Sequence, residues 1–345
     1  MHAASSAHCW PLFDDHRAFF RALAALGVNA SGGTIVNIGA ALRHPGQLNH
    51  ASDSPDSNND EAWNAFYSDD GRRHGLRMVA YEASPAAIAL NELEFNRSGG
   101  RYQLDDSLRR RVQQMNEKVD VLTIGQELRR RGVPRGGFSD SARDEATNKL
   151  VLLKIDIDSF DLAVLDAILA AHFRPLLVFM ETTDWAHKLR FAALPPGRAQ
   201  RAGGTPPRYA SVSTLKSRKF PCMGVSLQML KEHGPTLGYV PIQDDGRRNT
   251  MLVDVHALHR RAAQLEPAAK RALLGATNET CFIQRGLPSK HKLYNWTRLL
   301  ELVDESCAST HTPYLVSYYG QPCPATVKDT PLHLGQCRST VLPNE

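Results

Sequence analysis

Val151-Leu152-Leu153-Lys154-Ile155-Asp156-Ile157-Asp158-Ser159-Phe160-Asp161 decides how this chain is read. An apolar run stops at three acids, Asp156, Asp158 and Asp161, spaced two and three apart. A continuous apolar run of this length is a strand buried on both faces, as in a parallel sheet. Leu162, Val164, Leu165, Ile168 and Leu169 then follow a helical spacing. The acids therefore fall at a strand-to-helix turn, on the carboxyl edge of a sheet, where open α/β folds bind ligands.

Working outward, the same strand–helix alternation recurs. Asp14 to Leu26 reads as an amphipathic helix stopped by Gly27. Thr34–Ile38 is a short buried strand followed by Gly39. His44 to Asp60 is a long polar loop, either a lid or an insertion. Arg77–Tyr81 is a second strand ending at Glu82, and Pro85 opens a helix that runs to about Phe95. A third strand is expected at Val119–Thr123 and a short helix from Gln126 to Arg131, closed by Gly132. Leu150–Ile155 is the fourth strand, with a helix from Phe160 to Ala171 behind it. Arg174–Met180 is the fifth, ending at Glu181.

From Leu194 to Thr214 the chain turns to Pro, Gly, Arg and Ser, the composition of a surface loop. Together with Phe220–Ser226 it reads as a rim or lid over the site. Val225 to His233 reads as a helix. Tyr239–Gln243 and Thr250–Val253 read as a hairpin, with Pro241 marking an edge or a bulge. Ala257 to Leu274 is helical, and the remainder is irregular and bears four of the six cysteines. The pattern predicts an α/β fold: a Rossmann-like, seven-stranded sheet, parallel except for its last strand, with helices on both faces. It divides the chain into an N-terminal helical segment (1–30), the α/β domain (31–256) and a C-terminal helical and irregular extension (257–345).

Composition narrows the function classes. The 345 residues carry a formal charge of +5, with 42% hydrophobic and 22% charged residues, which fits a globular chain rather than a disordered one. Short arginine runs, Arg109–Arg111 and Arg129–Arg131, supply much of the excess. No aromatic residues interleave with them to stack bases, so nucleic acid is not the expected partner. No apolar run reaches the roughly 20 residues of a membrane helix. No secretory leader is visible, and a cytoplasmic location is the default expectation. The cysteines form no C-x-x-C pair, so no metal site is expected from them.

Gly39 and Glu82 belong together. A glycine after the first strand permits close backbone approach, and an acid after the second can hold ribose hydroxyls. Ala40 and Ala41 follow Gly39, so the G-x-G-x-x-G pyrophosphate fingerprint is missing. A nucleoside ligand without a phosphate is favoured, which points to S-adenosylmethionine rather than a dinucleotide.

The segments Asn37-Ile38-Gly39-Ala40, Tyr81-Glu82-Ala83-Ser84-Pro85, Leu122-Thr123 with Glu127-Leu128, and Lys154-Ile155-Asp156-Ile157-Asp158-Ser159-Phe160-Asp161 carry a resemblance. The chain resembles the FkbM-type, S-adenosylmethionine-dependent methyltransferases of class I fold, from about Thr34 to Val253. Asn37 stands where that family has an acid, and aspartates replace both glutamates of the last block. The resemblance implies S-adenosylmethionine as cofactor, held by Asn37, Gly39, Glu82 and Asp156. It implies methyl transfer to oxygen on a small-molecule or glycan acceptor. A fold of this type that has lost activity and only binds is the alternative.

For such a transfer a base must take the acceptor's proton while the methyl group is held in line. Asp158 and Asp161 are the candidates for that base. The same two residues also read as a helix cap with an acid three positions on, or as part of a cation site. Glu181, at the end of the fifth strand, and His187 are candidate substrate contacts.

Overall fold

The computed structural model describes residues 16–42, 60–98, 102–136, 149–157, 160–183, 189–193, 224–244, 249–275, 314–318 and 333–336. Its strands are β1 (Thr34–Ile38), β2 (Arg77–Tyr81), β3 (Val112–Met115), β4 (Leu150–Ile155), β5 (Leu177–Thr183), β6 (Leu189–Ala193), β7 (Val225–Ser226), β8 (Tyr239–Asp244), β9 (Asn249–Asp254), β10 (Tyr314–Tyr318) and β11 (His333–Gln336). Its helices are α1 (His16–Ala25), α2 (Glu61–Tyr67), α3 (Asp69–Arg73), α4 (Pro85–Asn96), α5 (Asp106–Arg109), α6 (Ile124–Arg130), α7 (Asp161–Ala170), α8 (Leu227–His233), α9 (Val255–Ala263) and α10 (Pro267–Gly275).

The central sheet has the order β3-β2-β1-β4-β5-β9-β8. β1 to β5 pair in parallel, and β9 lies antiparallel to both β5 and β8. The strand order reverses between β1 and β4, so the switch point of this α/β sheet lies at their carboxyl ends. Every residue of β1 and β4 is buried, as their apolar runs require.

Alternation along the strands sends side chains into two apolar layers. One contains Ile35, Met78, Leu152, Phe179 and Met251, packed with Phe19 and Leu23 of α1 and Trp63 and Phe66 of α2. The other contains Val36, Ile38, Val79, Leu153, Ile155 and Met180, packed with Leu128 of α6 and Leu162, Leu165 and Ile168 of α7. Each large side chain buried in this way contributes about 1.5–3 kcal/mol relative to exposure. On the far side of the sheet Arg174 reaches Asp254 at 2.7 Å and lies over the Tyr239 ring, tying β8 and β9 to the start of β5.

A smaller sheet grows from the same edge. β5 pairs with β9 through Glu181, but its last residues, Thr182 and Thr183, pair in parallel with β7. β6 runs antiparallel to β7, β10 antiparallel to β6, and β11 parallel to β10. Thus the segment read as irregular supplies two strands, one of them paired with β6.

Several expectations are corrected. The third strand is Val112–Met115, not Val119–Thr123. Residues 121–123 form a turn in which Asp120 Oδ1 accepts from the Leu122 N–H, and Val119 is buried against the α6 layer. β3 is an edge strand of half-buried residues, Val-Gln-Gln-Met, with no apolar alternation to mark it. β5 begins at Leu177 rather than Arg174 and runs on past Glu181 to Thr183. Val225 and Ser226 are strand, and α8 begins only at Leu227 with Ser226 as its N-cap. The single helix expected from Ala257 to Leu274 is two, since Pro267 begins a new one. Helices α2 and α3 are additional to the elements read from the sequence. The expected loop from Leu194 to Thr214 lies outside the described residues.

Candidate functional site

The site starts from one register pair. Asn37 of β1 and Lys154 of β4 are Cα partners across the switch point, one residue before each strand ends. Both share strand faces with the α2-side layer, since Ile35 and Leu152 precede them by two. An amide and an ammonium are thus set under an otherwise apolar helix layer, and both are buried. Burying a charge in this way is unfavourable unless it is paired and hydrogen-bonded.

The pairing comes from the N-terminus of α2. Asp60 is its N-cap and accepts from the Trp63 N–H at 2.9 Å. Its carboxylate also accepts from Asn37 Nδ2, at 3.1 Å to each oxygen, and from Lys154 Nζ at 3.0 Å. Lys154 Nζ further reaches Asp156 Oδ2 at 3.0 Å and the Gly39 carbonyl at 3.3 Å. Burial works against the Lys154 charge, but Asp156, Asp60 and Glu61 more than offset it and hold the ammonium above its ordinary range. Glu61, the first residue of α2, is half-buried in the same cluster. Burial pushes its carboxyl up to about 8; Lys154 pulls it down, and Asp60 and Asp156 add to the rise. Asn37 Oδ1 is buried and accepts no hydrogen bond.

Gly39 is a glycine for a reason that differs from the expected one. Its φ is +81°, and a Cβ there would stand 1.7 Å from the Asp156 carbonyl oxygen. The close approach is therefore between the ends of β1 and β4, which the Asp156 N–H to Ile38 O bond at 2.9 Å also joins. The Gly39 and Ala40 N–H groups both donate to the Tyr81 carbonyl, at 3.0 and 3.1 Å, which fixes the loop against the end of β2.

Glu82 follows β2 directly. Its N–H donates to the Met115 carbonyl and its Oε1 accepts from the Ser84 N–H at 2.7 Å. Ser84 in turn caps α4, with Pro85 at the first helical position. Glu181, in β5, is buried and lies on the same sheet face as Phe179 and Lys154 by strand alternation. Gly39, Glu82, Asp156 and Glu181 thus line one carboxyl edge over β1, β2, β4 and β5.

Asp161 is placed differently. It is the first residue of α7, fully buried, and its Oδ1 accepts from the Ile157 N–H at 3.1 Å. Phe160 holds the N-cap position and makes no side-chain cap bond. The expected cap with an acid three residues later is therefore not the geometry: Asp161 ties the turn back to β4 from inside the helix. Asp158 and His187 lie outside the described residues.

Two residues of the cluster, Asp60 and Glu61, were absent from the sequence reading. The signal was present: Asp-Glu stands directly before Ala62, Trp63, Ala65 and Phe66, a helix start with an N-cap. The arginine runs are engaged within the protein. Arg131 pairs with Glu127 and Glu117, Arg130 pairs with Glu127, Arg129 donates to the Ala171 carbonyl, and Arg111 lies over the Phe66 ring. Among the described residues no helix is long and apolar enough to cross a membrane, and no group of His, Cys, Asp or Glu is arranged to hold a metal ion.

Among the described residues, the edge sets several carboxyl groups around the Lys154 ammonium. Such a surface suits a ligand that brings hydroxyl donors, positive charge, or both. No model of a known protein family matches the chain, and no curated protein does.

Proposed function

We propose that the protein is an S-adenosylmethionine-dependent methyltransferase that methylates a hydroxyl of a small-molecule or glycan acceptor. The observation that carries the reading is the placement of Glu82 and Asp156 at the carboxyl ends of β2 and β4, the two neighbours of β1, beside the switch point. The antiparallel β9 supports the reading, which expects a sheet parallel except for its last strand.

The residues present fit the cofactor. Glu82 can accept from two ribose hydroxyls. Asp156 and the acid-rich floor suit the sulfonium and ammonium of the methionyl part. The acid that the resemblance expects at position 37 is supplied from α2 instead, because Asn37 hands its amide to the Asp60 carboxylate. When bound, the cofactor supplies an activated methyl group on sulfur.

The chain's own part is positioning and charge. Gly39 keeps β1 and β4 close enough to share one edge. Lys154 fixes Asp156 and the Gly39 carbonyl together with α2. Glu181 faces the edge from β5, where it can hold an acceptor hydroxyl. Asp158, just past Asp156 in sequence, is the candidate for the base that takes the acceptor's proton, whereas Asp161 anchors the turn.

Isothermal titration calorimetry with S-adenosylmethionine and S-adenosylhomocysteine tests the reading. Saturable binding at micromolar ligand is expected; no heat at millimolar ligand would sink it. Binding without methyl transfer to any panel of hydroxylated acceptors would leave a binding protein of the same fold.

A further inference from the structure

One side-chain amide in α4 holds the loop that leaves β1. Asn91 is fully buried in the middle of that helix. Its Oδ1 accepts from the Leu42 N–H at 2.8 Å, and its Nδ2 donates to the Ala40 carbonyl at 2.9 Å. The two partners are two residues apart, so the amide takes the place that the backbone of a parallel neighbour would take beyond the end of β2. A flipped amide could make neither bond, since a carbonyl only accepts and a backbone N–H only donates. The Ala40 carbonyl accepts a second bond, from Trp63 Nε1 of α2 at 3.0 Å. The gripped residues, Ala40 and Leu42, are buried, whereas Gly39 and Ala41 are half-buried and form the outer side of the loop.

α4 also carries the second part of the candidate cofactor site at its start. Ser84 caps the helix by accepting from the Ala87 N–H at 3.2 Å, and the Ser84 N–H holds Glu82 Oε1 at 2.7 Å. One helix therefore fixes both the Glu82 carboxylate and the loop after β1. Asn91 is the link that sets the second against the first. Packing alone does not supply that link: an aliphatic side chain at position 91 strands the Leu42 N–H and removes one of the two bonds to the Ala40 carbonyl.

We propose that Asn91 is a positioning residue of the cofactor site: its amide fixes the Gly39–Leu42 loop relative to Glu82, so that the nucleoside meets a loop already in its binding shape. This rests on the cofactor reading above. A loop that must be ordered at the moment of binding subtracts from affinity, and one ordered beforehand does not. Being fully buried, Asn91 acts through the loop and not by contact with the ligand.

The test compares the wild type with Asn91→Leu, which keeps the side-chain size and loses both bonds. Ile168→Val, a mild truncation in the opposite apolar layer, is the control for lost stability. Calorimetry on the folded proteins reads S-adenosylmethionine affinity, and hydrogen exchange reads the Leu42 amide. Asn91→Leu should bind roughly tenfold more weakly. Its Leu42 amide should exchange faster, with protection returning at saturating ligand, while Ile168→Val keeps wild-type affinity. A lower melting temperature with unchanged affinity makes Asn91 a purely structural residue and overturns the inference. An equal loss of affinity in Ile168→Val, or unchanged exchange at Leu42, overturns it as well. Each of these outcomes leaves the cofactor reading intact, because the wild type still binds. Absence of binding by the wild type removes both. If Asn91→Leu does not fold, Asn91→Asp keeps the acceptor for the Leu42 N–H and loses the donor to Ala40, and unaltered affinity there overturns the inference.

Discussion

Lys154 Nζ lies 3.0 Å from Asp60 Oδ2, although 94 residues separate the two in the chain. Both side chains are almost fully buried. Removing one partner leaves an uncompensated charge in the interior. Lys154→Met should therefore cost about 3–5 kcal/mol, read from urea denaturation midpoints. Combining it with Asp60→Asn should recover part of that loss, because the buried carboxylate is then gone and the aspartate left without Lys154, Asp156, is partly exposed to water. A double variant as unstable as the sum of the singles would contradict this coupling.

Gly39→Ala should be poorly tolerated. The left-handed backbone alone makes a side chain there unfavourable by about 1–2 kcal/mol. The Asp156 carbonyl, 1.7 Å from the new Cβ, forces β1 and β4 apart in addition. A drop in melting temperature, together with loss of any thermal shift by S-adenosylmethionine, is the expected outcome. A variant with wild-type melting and binding would disprove the close approach.

Glu82→Ala separates ligand binding from folding. The loss of one accepted bond from the Ser84 N–H costs about 1 kcal/mol of stability. Loss of two ribose hydrogen bonds to a charged acceptor should weaken S-adenosylmethionine by roughly tenfold or more. Calorimetry reads the affinity directly, and unchanged binding would remove Glu82 from the cofactor site.

Asp161→Ala should do the reverse. Its carboxylate accepts from the Ile157 N–H inside the protein, so its removal should cost about 1–3 kcal/mol. Cofactor affinity measured on the folded fraction should stay within about twofold of wild type if Asp161 serves the turn alone.

Stability should fall as the pH rises from acid toward about 8. Glu61 is raised in the folded protein from its ordinary 4.5 to about 8. Between those values the folded state holds a proton that the unfolded chain has lost. Its contribution is thus complete below about pH 4.5 and lost as the pH climbs through about 8. The slope is at most about 1.4 kcal/mol per pH unit, reduced because Glu61 is only half-buried. Denaturation series from pH 5 to pH 9 should show Glu61→Gln gaining on the wild type, and parallel curves would exclude the shift.

The legible parts of the sequence were those buried on both sides. β1, β2 and β4 announce themselves as apolar runs that end at Gly39, Glu82 and Asp156, because a central parallel strand has no solvent face to break the run. β3 was misplaced because an edge strand needs no such run, while the nearby Val119 and Val121 imitate one. The edge residues of the site followed from strand ends alone. Asp60 and Glu61 were legible only as the start of a helix; that the helix start meets Asn37 and Lys154 is a long-range contact that no local pattern encodes. Gly39 was identified correctly but for a different neighbour: backbone, not ligand, occupies the space a side chain would take.

β5 belongs to two sheets, and one of them is completed from far along the chain. β7 pairs with its tail and β6 with β7, but β6 finds its other partner in Tyr314–Tyr318. During synthesis the seven-stranded core can close before that partner leaves the ribosome, whereas β6 waits with a bare edge. Folding should then finish in two stages, a fast core and a slow outer wall set by contact order. In the interval the exposed rim of β6 is the surface at which a chaperone, or a second nascent chain, would first attach.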